Sequence, residues 1–280
     1  MLLKHGPVRG IRSGRIRWSL NSQSVCYRLG DTLIDTGPPS GWRTIRRFVK
    51  EEHARQPIRK IIVTHHHEDH AGNAGRLQNL LDVPVFAPSE CIDRLADGFS
   101  MELYRYIVWG RPSRVQAHPL PDQISVGFGH ELQKVPAPGH ADDMVCLYEA
   151  KRGWLFSADL YITARPQYLR YDEDLEQLVA SLRRVRELSL DTVFCGHQGI
   201  VEHGARAIKR KLHYLVSLCA RACALREAGQ SSEKIRDELL GNEGLLYYVS
   251  RGDFAKQRLI DACLDGSGET PGRLAWQRAA

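Results

Sequence analysis

The heptapeptide Thr64-His65-His66-His67-Glu68-Asp69-His70 follows directly on the apolar run Ile61-Ile62-Val63, and its residue types are those that bind metals. In an extended segment residues two apart share a side, so His65 and His67 are expected to aim their imidazoles at one ion. A turn beyond them, towards a helix starting near Gly72-Asn73, would bring Asp69 and His70 to a second position close by. A metal-sticky tag would sit at a terminus and would lack partners elsewhere. Here three later segments share one grammar, an apolar strand-like run ending in a single His or Asp: Gly139-His140, Ala158-Asp159 and Gly196-His197. Strands that stop at small residues and present one polar side chain are how layered α/β folds assemble sites at a sheet edge. Imidazoles and carboxylates suit zinc, with iron or manganese as alternatives.

The order His-x-His-x-Asp-His, Gly-His, Asp, Gly-His resembles the metallo-β-lactamase superfamily over roughly residues 16 to 203. The earlier Thr32-Leu33-Ile34-Asp35-Thr36-Gly37 matches its first motif. The resemblance implies an α/β fold, the αββα four-layer sandwich, with His65, His67 and His140 on one metal, Asp69, His70 and His197 on the other, and Asp159 bridging both. Asp35 would orient the ligands from beneath. Two Zn2+ ions about 3.5–4 Å apart could then share a hydroxide, because the pKa of bound water falls from ~15.7 towards ~7. Asp69 is the expected catalytic residue, holding the hydroxide and moving its proton. No Ser or Cys nucleophile is required.

Departures within the superfamily narrow this reading. Flavodiiron relatives carry Glu where this chain has His67, and true β-lactamases of the family usually lack the bridging Asp that Asp159 supplies. The run from Thr64 to Asn73 is similar to that of glyoxalase II, a thioester hydrolase, while iron-dependent persulfide dioxygenases keep much of the same motif. The expectation is a binuclear hydrolase acting on a thioester, ester or lactone in a small, acyl, anionic or neutral substrate. The alternatives are a single-stranded RNA or phosphodiester nuclease, a β-lactam hydrolase, or a metal-binding effector with vestigial chemistry.

These ligands must be carried by strand ends. Strand-like runs fall at residues 24–29, 32–35, 61–63, 83–87, 131–135, 144–148, 154–157 and 192–195. Helical periodicity marks 43–52, with Ile45, Phe48 and Val49 on one face, and 174–188, with Leu175, Leu178, Val179, Leu182 and Val185. Past Gly204 the pattern turns to nearly continuous helix at 205–228, 231–240 and 253–264. The expected domains are therefore a catalytic unit, 1–203, a helical lobe, 204–264, and a disordered tail, 265–280. The lobe would wall the cleft or support a homodimer. Arg206 and Lys209, on the helix leaving the last Gly-His, are candidates to grip an anionic tail such as glutathione, coenzyme A or phosphate. The aromatic segment 99–112 reads as a lid in which Tyr104, Tyr106 or Trp109 touches an apolar substrate portion. Tyr161 is placed to donate to a developing oxyanion.

With 280 residues, 42% of them hydrophobic, the chain can bury roughly 75% of its unfolded surface. The formal charge of +6 is spread along the sequence. No apolar leader begins it and no run of ~18 apolar residues interrupts it, so a cytoplasmic protein without membrane contact is expected. Seven scattered cysteines are expected to be reduced and buried rather than to form a disulfide framework. Cys219 and Cys223 share a helix face, where core packing is the expectation.

Overall fold

Strands whose every residue is buried, Ser24–Leu29 and Trp154–Ala158, have one apolar face for each of two neighbouring layers, and the fold is built around them. The computed structural model describes residues 1–14 and 22–265. Among these the first sheet runs in order through β1 (Leu2–His5), β2 (Val8–Ser13), β3 (Ser24–Leu29), β4 (Thr32–Ile34), β5 (Lys60–Ile62), β6 (Val85–Ala87) and β7 (His118–Pro119). It is antiparallel as far as β4 and parallel beyond it. Parallel neighbours need a long crossover, which α1 (Trp42–Arg55) and α2 (Ala74–Leu81) supply. Two short helices follow, α3 (Ile92–Asp97) and α4 (Leu103–Val108).

The second sheet contains β8 (Gln123–Ser125), β9 (Glu131–Pro136), β10 (Val145–Glu149), β11 (Trp154–Ala158), β12 (Thr192–Cys195) and β13 (Gly199–Val201), with β8 and β13 at its edges. The parallel pair β11–β12 is crossed by α5 (Leu175–Arg186), whose N-cap Asp174 accepts from Gln177 N. The remaining helices are α6 (Gly204–Glu227), α7 (Ser232–Leu240), α8 (Leu245–Val249) and α9 (Lys256–Asp265).

Side chains alternate along the strands, and this sorts the core into three layers. Val25, Tyr27 and Leu29 of β3 meet Leu147, Trp154, Phe156 and Phe194 between the sheets, where Phe156 and Phe194 stack at 4.7 Å. Cys26, Leu33 and Ile61 face outward onto Ile45, Phe48 and Val49 of α1 and Leu77 of α2. On the other side Cys146, Leu155 and Val193 pack against α5, and the same cluster continues into α6, α7 and α9. The order is helix, sheet, sheet, helix, as expected. The C-terminal helices share the core of the second sheet without a break in packing.

Two expectations are corrected. Cys219 of α6 and Cys263 of α9 form a disulfide, because the face of α6 that carries Cys219 packs on α9; Cys26, Cys91, Cys146 and Cys195 are buried thiols. The last helix starts at Lys256 instead of 253, and the separate α8 precedes it. Residues 266–280 of the expected tail lie outside the described residues. No described helix is long and apolar enough to cross a membrane.

Candidate metal centre

Loops at one rim of the two sheets carry the site. Asp35, just past β4, takes the left-handed conformation (φ 58°), which turns its carboxylate under the segment leaving β5. There it accepts hydrogen bonds from Thr64 N at 2.8 Å, from Thr64 Oγ1 at 3.0 Å and from His70 Nδ1 at 2.8 Å. Thr36 Oγ1 and Ser24 Oγ donate to the carbonyls of His70 and Asp69, so the histidine loop is tied down along its length. Residues 68–70 form the expected turn, while residues 64–66 bend where an extended segment was expected to carry His65 and His67. His65 and His67 nevertheless meet, because the bend rotates both imidazoles inward.

The second sheet delivers the other three ligand candidates. His140 lies between β9 and β10, Asp159 directly after β11, and His197 in the turn between β12 and β13. Gly196 before His197 is required sterically, since a Cβ there would stand 2.6 Å from His70 Cε1 and 2.8 Å from Asp159 Oδ1. Gly139 adopts φ +130°, and a Cβ on it would strike Leu178 N at 2.3 Å.

Seven buried side chains thus form two groups, His65 with His67 and His140, and Asp69 with His70, Asp159 and His197. In the first, His65 Nε2 and His140 Nε2 lie 3.2 and 3.1 Å from His67 Nδ1. In the second, Asp159 Oδ2 is 3.1 Å from His197 Nε2, and His197 Nε2 is 3.3 Å from Asp69 Oδ2. The same Asp159 Oδ2 lies 3.1 Å from His140 Nε2, which links the groups. His70 Nε2 and Asp159 Oδ1 are 3.1 Å apart, yet both are buried without an aligned hydrogen-bond partner. Buried polar atoms left so are costly, and a divalent cation would satisfy both. The donor set of imidazole nitrogens and carboxylate oxygens fits zinc.

The outward nitrogens are also engaged. His65 Nδ1 faces Thr64 Oγ1 at 3.1 Å, His140 Nδ1 faces Glu173 Oε1 at 2.6 Å, and His197 Nδ1 faces Gln23 O at 2.7 Å. A proton held there leaves the inward lone pair free, the arrangement by which metal-binding histidines are oriented. Burial, reinforced by neighbouring histidines, pushes His65 and His67 well below the usual imidazole range, so they are neutral donors. Burial would also lower His197 and His70, but Asp159 and the other nearby carboxylates outweigh it, raising His197 to about 9 and His70 well above its ordinary value. Burial raises the Asp69 carboxyl. At Asp159 the pull of His197, His70 and His140 overcomes burial and holds the carboxyl well below the carboxylate range. His66 points elsewhere, to Asp143 Oδ1 at 2.9 Å; the adjoining Asp142 is held by the Arg94 fork at 2.6 Å.

A cleft of about 900 Å³, part of it open to solvent, runs from Asp69, His140, Asp159 and His197 to an apolar end at Leu178, Leu215 and Leu259. Trp109 lines it. Tyr104 does not: its hydroxyl donates to Asp253 in a neighbouring groove. Tyr106 faces another cavity, beside Arg94 and Phe99. Tyr161 is buried in the core of the second sheet rather than in the cleft wall. Arg206 and Lys209 are exposed on α6 and away from the cleft; the cations that do line it are Arg170 and Lys211. Lys211 shares the apolar stripe of α6 with Ala207, Ile208, Leu212 and Leu215, a phase that helical spacing alone reveals. Sequence reasoning also missed Glu173, although the acidic run Asp172-Glu173-Asp174 stands next to a helix start.

The chain is similar to several curated proteins and solved structures. An uncharacterised protein of Aquifex aeolicus (strain VF5) is 35% identical over 151 residues, covering 49% of this chain and 66% of that protein. A hydroxyacylglutathione hydrolase of Methylobacillus flagellatus is 29% identical over 181 residues, covering 62% of this chain and 63% of the relative. The chain therefore spans a little under two thirds of the length of these curated relatives. Among solved structures, a beta-lactamase domain protein from Burkholderia ambifaria superposes with a TM-score of 0.73 at 19% identity, covering 96% of this chain and 90% of that one. A metallo-beta-lactamase family protein from Thermus thermophilus gives 0.66 at 20% identity, covering 91% and 92%. Both show the fold alone. The family model of the metallo-beta-lactamase superfamily matches residues 22–197, the stretch that holds Asp35 and all seven metal-ligand candidates, and the chain belongs to that superfamily.

Proposed function

We propose that this protein is a binuclear metal-dependent hydrolase that cleaves a thioester, ester or lactone in a small acyl substrate. The observation that carries this reading is the meeting of two ligand groups at Asp159, at the mouth of a cleft whose far wall is apolar. When bound there, two divalent ions supply Lewis acidity and a water of lowered pKa. The protein's own part is orientation and proton handling. Asp35 fixes His70 and Thr64, Glu173 fixes His140, and the Gln23 carbonyl fixes His197. Asp69, on the cleft wall with a carboxyl raised by burial, takes a proton from the attacking water and returns it to the leaving group. Trp109 and the leucines exclude bulk water from the acyl side.

The apolar enclosure supports an acyl substrate over a nucleic acid strand, which needs a basic, open groove. The relatives named hydroxyacylglutathione hydrolase support the thioester within that class. Exposure of Arg206 and Lys209 removes the main argument for a glutathione tail. The test is metal stoichiometry after loading with zinc, manganese or iron, together with turnover of an acyl thioester, a lactone, nitrocefin and a single-stranded RNA. Two ions per chain with thioester or lactone hydrolysis is the expected result. RNA cleavage alone, or one iron without hydrolysis, would overturn it.

A further inference from the structure

The charges along the cleft are matched, with one exception. Arg170 has Asp172 Oδ2 at 2.9 Å and Asp253 Oδ2 at 3.5 Å. Lys211, only 4% exposed, donates from Nζ to the Leu160 carbonyl at 2.6 Å and forms no ion pair among the described residues. The neighbouring Glu173 is already committed, its Oε1 to His140 Nδ1 and its Oε2 to Arg170 N at 3.0 Å. An ammonium has three donors, so two remain for a group that enters the cleft. A buried charge without a counter-charge is expensive, and clefts are where such groups are kept for function. The position is equally telling. Leu160 follows Asp159 directly, and Ile162, Leu178 and Leu215 share the cleft wall with Lys211. An acyl chain whose carbonyl sits at the metal ligands would run along this wall past the ammonium.

We infer that Lys211 receives a carboxylate on the acyl portion of the substrate, so that the cleft selects half-esters or half-thioesters of dicarboxylic acids over neutral acyl chains. This deepens the hydrolase reading and rests on it. A second carboxylate completes the donor set of Lys211, whereas a neutral chain of equal length leaves the ammonium unpaired and desolvated. Sites built to pair a polar group discriminate steeply against substrates that lack it.

The probes are the S-glutaryl and S-pentanoyl thioesters of N-acetylcysteamine, assayed with zinc-loaded wild type, Lys211→Met and Lys211→Arg. Wild type should favour the glutaryl compound at least tenfold in kcat/KM. Lys211→Met should bring that ratio close to one, with the loss carried by KM, and Lys211→Arg should restore part of it. Calorimetric titration with glutarate against pentanoate gives a readout independent of turnover, the single carboxylate controlling for the metals. Glutarate should bind wild type more tightly than pentanoate, and Lys211→Met should abolish the difference. A wild-type ratio near one without glutarate selectivity would overturn the proposal. So would a Lys211→Met variant in which both thioesters decline together and the ratio persists, since Lys211 would then only brace Leu160. If wild type hydrolyses neither these thioesters nor a lactone, the hydrolase reading fails, and the glutarate titration alone decides the role of Lys211.

Discussion

Asp159 is the residue on which both ligand groups depend, because its Oδ2 stands 3.1 Å from a histidine of each. Asp159→Ala should reduce metal content below two ions per chain and turnover by more than about 100-fold, the upper end of what losing even a supporting group costs; metal analysis beside steady-state kinetics checks it. Asp35→Ala removes no ligand but frees His70, so metal affinity should weaken by about 10–100-fold in chelator competition. Lys211 makes a different prediction, about stability. Burial pulls its pKa from 10.5 down to about 8, against the opposing fields of Glu173, Cys195, Asp159 and Cys146. Between these values the unfolded chain binds the proton that the folded chain has released, so wild-type stability rises as pH climbs from about 8 to about 10.5. Below that window the ammonium is a net cost. Lys211→Met should be more stable than wild type at pH 7, by about 2 kcal/mol once the lost Leu160 bond is set against the relieved burial. Thermal melts across the pH range should show the gap closing as the medium becomes alkaline.

At the scale of elements, the segment around α4 is fixed to the metal loop and not free to swing. Arg105 lays a fork on Glu68, with Nε at 2.8 Å and Nη2 at 2.5 Å from its two oxygens, and the Trp109 carbonyl accepts from Ser40 N at 2.8 Å. Arg105→Leu leaves the Glu68 carboxylate, 1% exposed, without its partner. Unfolding in denaturant should show a loss of about 3–5 kcal/mol, as when one side of a buried ion pair is removed. The sequence made the central strands legible, because β3, β5, β10, β11 and β12 are largely apolar runs that end at a ligand candidate or a turn, and β9 buries Leu132 and Val135 among polar residues. It did not reveal β7, two exposed residues long, or β8 and β13 at the sheet edges, where half-exposed residues carry little pattern. The seven ligand candidates that meet at the rim were legible for the same reason that the strands were. The substrate residues were less so: helical spacing puts Lys211 rather than Arg206 or Lys209 on the apolar stripe of α6, but that this stripe borders the cleft comes only from the fold, and the partner of Tyr104 lies 149 residues away. The disulfide was hidden similarly, since nothing local to Cys219 announces Cys263.

Across the whole molecule, that disulfide closes a span of 44 residues between α6 and α9, helices whose Leu215 and Leu259 face the cleft. Restricting the unfolded chain over such a span is worth up to about 4 kcal/mol. Cys263→Ser should lower the melting temperature accordingly, and wild type treated with reductant should approach the variant.

Each ligand group draws on both sheets, with His65, His67, Asp69 and His70 from the first and His140, Asp159 and His197 from the second. A bound ion is therefore a clasp across the seam of the sandwich as well as a reagent. Its affinity is added to the stability of the fold, about 2.7 kcal/mol at a free concentration one hundred times Kd. Without metal the halves are held by the apolar layer between the sheets and by hydrogen bonds across the seam such as Val25 N to Gly196 O and Val145 N to Thr64 O, so chains lacking metal should open more often to proteases. Metal-free copies should thus be cut first in limited proteolysis, and the amount of intact protein should follow the supply of metal.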